Sequence, residues 1–202
     1  VKKKVAQALL VCMATLVLFL CAYYEKTKQV YDRIETERTK TSARIGNSDE
    51  ETLGNYLNLI PSNIVLLLQD HEWGFCLVSE DEMNEISKRY GYTDRLIGLS
   101  VYSERLIYVS NKRIDSVLHE VWHAVDSILG DLSEQKEAES IYRAEVKAFL
   151  KAYPETNELN AADASEYFAE AFQQYILSEE TLKESCPKTY DYLRDILYAL
   201  NN

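Results

Sequence analysis

Residues 114–130 read IDSVLHEVWHAVDSILG, and they decide what kind of domain this chain builds. Ile114, Val117, Leu118, Val121, Val125 and Ile128 recur at steps of three and four, the period of an amphipathic helix. Gly130 stands where such a helix ends. Inside that period lies His119-Glu120-Val121-Trp122-His123, an H-E-x-x-H pattern. Four residues are about one helical turn, so both imidazoles leave the same face. Two neutral ring nitrogens can then grip one Zn²⁺ without backbone adjustment. Glu120 brings a carboxylate beside the open coordination position, where it can take a proton from the water held there. Two of the three histidines in the chain are spent on this turn.

A catalytic zinc site usually has three protein ligands and a water. A histidine six residues past His123 would mark the metzincin pattern, but that residue is Leu129, and no histidine follows it. His71, far upstream, reads as a surface residue of a turn. The third ligand is therefore expected to be a carboxylate from a later helix. The best stretch is Glu166-Tyr167-Phe168-Ala169-Glu170-Ala171-Phe172, with Glu166 and Glu170 four apart on one helical face and apolar residues on the other. Two carboxylates on a buried face are costly unless paired or metal-bound, whereas on a solvated face they would be ordinary.

Around this helix the pattern is that of an α+β domain with a small sheet. Upstream, a short helix is expected over residues 62–69, a turn over 71–74 and a short apolar strand over 75–78. Ser79-Glu80-Asp81-Glu82 is a capping box that starts a helix running to Tyr90, with Gly91 just past its end. Two β-type runs follow, 96–102 and 105–110, with Ser103-Glu104 as a hairpin turn. The second run could offer an edge to an extended peptide. Downstream, helices are expected from Ser133 to Ala152, from Ala164 to Leu177 and from Pro187 onward, Pro being favoured at a first helical position.

The amino terminus differs from the rest. Lys2, Lys3 and Lys4 precede the uncharged residues 5–24, VAQALLVCMATLVLFLCAYY. Twenty helical residues span about 30 Å, enough to cross a bilayer core. Residues 1–24 thus read as a signal anchor, 25–50 as a polar stalk and 51–202 as the folded domain. This implies a single-pass cell-membrane protein with its domain outside, or a secreted one if the segment is cleaved. The whole chain has 202 residues, a net charge of −11 and 47% hydrophobic residues. That admits one domain with a real core and makes nucleic acid a poor partner, since phosphate binding needs a basic surface. Of the four cysteines, only Cys76 and Cys186 fall in the domain. They read as two buried thiols, with a bridge between them as the alternative.

HEVWHAVDSILGDLSE, SIYRAEVKAFL and SEYFAEAFQQYIL, in this order, resemble the zinc peptidase domain of anthrax lethal factor and the related Pro-Pro endopeptidases. The resemblance covers roughly residues 55–200 and is strongest over 116–177. It implies a zincin-like fold with an active-site helix and one Zn²⁺ held by His119, His123 and Glu166. It implies Glu120 as the general base. Glu170, and Asp126 one turn past His123, would orient the ligand histidines from behind. It also implies a peptide or protein substrate. The family carries a tyrosine seven residues before the ligand glutamate, whose hydroxyl helps stabilise the oxyanion. This chain has Leu159 there, and Tyr153 is the nearest upstream tyrosine. The expected function is a zinc-dependent endopeptidase acting on extracellular proteins; the alternative is a zinc-binding pseudo-peptidase on a membrane stalk.

Overall fold

The computed structural model describes residues 45–94, 96–156 and 158–200. The expected anchor at 1–24 and nearly all of the stalk at 25–50 lie outside the described residues. Helix α1 spans Asn47–Leu57, with Asp49 and Glu50 in its first turn, where the helix dipole favours negative charge.

Helix α2, Ser62–Asp70, buries Ile64 and Leu68. The chain then reverses through Glu72, whose φ of 60° is left-handed, and enters strand β1, Gly74–Val78. The capping box forms as expected. Ser79 Oγ accepts from the Glu82 backbone N–H at 3.4 Å, and the Ser79 N–H donates to Glu82 Oε2 at 3.0 Å. Helix α3 follows over Glu80–Arg89, and Gly91 takes the positive φ of 86° that suits a residue without Cβ.

Strands β2, Gly98–Val101, and β3, Leu106–Ser110, form the expected antiparallel hairpin. Sheet order among the described residues is β1-β3-β2, with β1 and β3 parallel in the register Gly74↔Leu106 to Val78↔Ser110. The expectation that the 105–110 strand offers a free edge is thus corrected. β3 is the central strand, and the edge beside the hairpin partner is β2. The reason is burial on both faces: Ile107 and Val109 are wholly buried in the main core, while Leu106 and Tyr108 pack on the cluster beneath α3.

Helix α4, Val117–Ile128, enters through a 3₁₀ turn at Ile114–Ser116 and stops before Gly130, which has φ 88°. Its Val117, Leu118, Val121, Trp122 and Val125 are wholly buried. Helix α5 runs from Lys136 to Ala152, later than its expected start at Ser133. Ser133 belongs instead to a separate 3₁₀ turn, Leu132–Glu134, entered through left-handed Asp131 and left through extended Gln135. Helix α6 covers Ala164–Leu177, as the pattern predicts, and Asp163 Oδ1 caps it by accepting from the Glu166 N–H at 3.0 Å. A short helix the sequence did not suggest, α7 (Glu179–Ser185), precedes α8 (Pro187–Ala199), which carries its proline in the first turn. Trp122 of α4 lies against Phe168 and Phe172 of α6, at 6.4 and 5.3 Å between ring centroids, so these two helices are locked face to face.

The expected membrane placement is corrected. No helix among the described residues is long and apolar enough to cross a membrane. The apolar run at 5–24 lies outside them, so neither the outward-facing anchor nor the secreted form is retained.

Candidate metal centre

Helix α4 presents His119 and His123 from successive turns, and α6 presents Glu166 across from them. His119 Nε2 and His123 Nε2 are 3.0 Å apart. Glu166 Oε2 is 3.3 Å from His119 Nε2, and its Oε1 is 3.6 Å from His123 Nε2. The three side chains offer donor atoms that all lie within 4.8 Å of one another. Ligands about 2.05 Å from a tetrahedral zinc are separated by roughly 3.3 Å, so the set fits three corners of such a site. The imidazoles are 12% exposed and the Glu166 side chain 40%, so the centre opens towards solvent on the glutamate side.

Each imidazole has a second partner at its other nitrogen. His119 Nδ1 is 3.3 Å from Glu170 Oε1. Glu170 in turn accepts from Asn160 Nδ2 at 3.2 Å and Thr156 Oγ1 at 3.4 Å. His123 Nδ1 is 3.4 Å from Ser165 Oγ. Burial pushes the His119 pKa down, but hydrogen bonds to Glu166 and Glu170 and the charge of Glu120 outweigh it and hold the imidazole up at about 10. Burial pushes Glu166 up, and its hydrogen bond to His119 with the charges of both histidines brings it below the ordinary carboxylate value. Two carboxylates, Glu166 and Glu170, thus flank an imidazole pair whose Nε2 atoms lie 3.0 Å apart.

Glu120 is buried on the sheet side of α4, with its carboxylate against Gly98 and Ser100 of β2. The edge strand therefore runs directly beside the H-E-x-x-H turn.

The model of the family described as "Anthrax toxin lethal factor, N- and C-terminal domain" matches residues 94–196. This chain belongs to the anthrax lethal factor family. Among solved structures, it is similar to the Pro-Pro endopeptidase PPEP-2 from Paenibacillus alvei, with 25% identity and a TM-score of 0.63 over 77% of this chain and 94% of that one. No curated protein sequence matches it. Family and neighbour together support a metallo-endopeptidase.

Two further residues weighed beside the lethal factor resemblance, Asp126 and Tyr153, have these partners in the structure. Asp126 spends both oxygens on Ser133, accepting from its N–H at 2.8 Å and its hydroxyl at 2.5 Å. It holds the turn that follows α4. Tyr153 packs on Phe149 at 4.7 Å, and its hydroxyl accepts from Ser178 Oγ at 3.3 Å. Ser178 ends α6, about 18 Å along the helix from Glu166, so Tyr153 does not supply the hydroxyl missing at Leu159. His71 is exposed in its turn, as expected. Cys76 and Cys186 are both buried and share no disulfide.

Ser100, Thr156, Asn160 and Ser165 belong to the surroundings of the centre and were not singled out from the sequence. Ser100, Thr156 and Asn160 lie outside the quoted motifs and Ser165 only opens one of them, so in each case it is tertiary folding that brings the residue to its partner.

Proposed function

We propose that this lethal factor-family chain is a zinc-dependent endopeptidase. The observation that carries the reading is the convergence of His119 Nε2, His123 Nε2 and the Glu166 carboxylate at the separations of a tetrahedral set. His119, His123 and Glu166 would hold the ion, and Glu170 would fix the orientation of His119 from behind. When bound, Zn²⁺ supplies a Lewis acid that lowers the pKa of a coordinated water to about 7. With the ion in place, Glu120 would take a proton from that water and pass it to the nitrogen of the leaving amine. Among the described residues β2 is a terminal strand of the sheet, next to Glu120, and such a strand can pair an extended peptide through backbone hydrogen bonds. The substrate is a peptide; the similarity to a Pro-Pro endopeptidase makes proline pairs the first sequences to try.

A second reading is a metal-binding pseudo-peptidase. It is favoured by one observation, Leu159 standing where the family has its hydroxyl while Tyr153 is engaged with Ser178. Losing one oxyanion donor typically lowers turnover about 10²–10³-fold, which slows an enzyme without abolishing it.

The test uses the full chain. One zinc per chain, lost in His119→Ala, supports the centre. Cleavage of a library rich in Pro-Pro and in basic peptides, abolished in Glu120→Gln with zinc retained, supports the peptidase. A wild-type chain that holds zinc and cleaves nothing favours the pseudo-peptidase. A chain that binds no zinc removes both.

A further inference from the structure

We propose that Ser100 is a positioning residue that seats the Glu120 carboxylate, and that Gly98 is the clearance this seat requires. The inference rests on the reading of Glu120 as the proton-transfer group.

Gly98 and Ser100 are two apart on β2, so they face the same side of the sheet, towards α4. Ser100 Oγ lies 2.9 Å from Glu120 Oε2 and 2.8 Å from the Glu120 backbone carbonyl oxygen. A hydroxyl has a single proton, which these two acceptors share. Ser100 is 9% exposed and Glu120 7%, so water competes little for either group. A Cβ at position 98 would stand 2.6 Å from Glu120 Oε1, 2.7 Å from its Cγ and 3.0 Å from its Cδ. Any side chain there would displace the carboxylate. The two observations are independent, one a bond that holds the glutamate and the other a gap that admits it.

A mid-helix glutamate has several rotamers open to it, and only those that keep the carboxylate beside the metal position serve proton transfer. The bond from Ser100 selects among them before substrate arrives. It also couples the strand edge to the base, so that the segment suited to pairing a peptide and the group that moves the proton share one anchor. The opposing role on the same geometry is that Ser100 pins β2 to α4 through the backbone carbonyl alone, with no bearing on the carboxylate.

Two measurements on the full chain separate these roles. In zinc-loaded protein, Ser100→Ala is expected to lower kcat about 10–100-fold, the usual range for groups that orient a catalytic site, with KM and zinc stoichiometry unchanged. Ser100→Thr, which keeps the hydroxyl, recovers most of that loss, and Gly98→Ala loses at least as much as Ser100→Ala. Independently of activity, urea unfolding should show Ser100→Ala destabilising the wild type more than it destabilises Glu120→Ala, because the side-chain partner is then gone. Equal destabilisation in both backgrounds, or a Ser100→Ala enzyme with wild-type kcat, overturns the proposal and leaves the peptidase reading intact. A wild-type chain that cleaves no peptide overturns both.

Discussion

Glu170 Oε1 stands 3.3 Å from His119 Nδ1, on the side of the ring opposite Glu166. A carboxylate in that place fixes the tautomer of a ligand imidazole and raises its basicity towards the metal. Asn160 and Thr156 hold the carboxylate from the loop ahead of α6. Glu170→Ala is expected to weaken zinc binding about 10–100-fold, and Asn160→Ala to weaken it less, because His119 keeps its partner. Competition against a chromophoric chelator reads both. An unchanged affinity in Glu170→Ala would remove the supporting role.

The donors come from two helices, so an ion joins α4 to α6 as well as filling the site. At free zinc about 1,000 times its Kd, binding adds about 4 kcal/mol to the folded state. For a domain of this size that corresponds to roughly 8–16 °C in Tm. Calorimetry with zinc and with excess chelator should differ by that amount in wild type and by nearly nothing in His123→Ala. A wild-type Tm indifferent to chelator would contradict the ligand set.

Glu145 is buried on α5 and does for α8 what no neighbouring side chain does. Cys186, at the N-cap of α8, makes no side-chain cap bond. Glu145 instead accepts from the Lys188 N–H at 3.1 Å, the Thr189 N–H at 2.9 Å and the Thr189 hydroxyl at 2.8 Å. Losing a helix cap typically costs about 1 kcal/mol, and bonds to a charged acceptor about 1.5–3 kcal/mol. Glu145→Ala should therefore destabilise the chain by about 2–3 kcal/mol in urea while leaving zinc affinity as it was. A substitution here that released zinc without loss of stability would count against this assignment.

Local chemistry was legible in the sequence, and long-range pairing was not. The 114–128 period, the Ser79–Glu82 box and Pro187 each act within a few residues, so they announced α4, α3 and α8 directly. Strand order depends on which apolar runs meet in space, and both hairpin runs look alike in composition. The central place of β3 was therefore missed. Helix α7 escaped because seven residues show too little period and Ser178 merely interrupts a helical stretch. At the site, His119 and His123 were visible because one helical turn carries both. Glu166 was visible through the later motif and its family resemblance. Asp126 has a spacing from His123 that suits a supporting role, and the structure adds a partner that its spacing does not announce, Ser133, which donates to both its oxygens. Ser100 lies 20 residues from Glu120, and nothing in a strand that reads GLSV marks its serine as the partner of a distant helix.

The turn that carries the β2–β3 hairpin has its own pH dependence. Glu104 accepts from the Tyr90 hydroxyl and, at 2.8 Å, from the Tyr108 hydroxyl. These bonds, Tyr90 first, favour the charged form and bring Glu104 below its ordinary value. A carboxylate depressed on folding adds stability that is present above its unfolded pKa and lost as pH falls through the folded one. The window therefore lies below about pH 4.3, the unperturbed glutamate value. The group is exposed, so solvent screens the effect and it is small. Glu104→Gln should narrow the difference in Tm between pH 6 and pH 3 relative to wild type, with little change in kcat at neutral pH if the hairpin keeps its register. An acid limb in Glu104→Gln as steep as that of the wild type would show that other carboxylates carry the whole dependence.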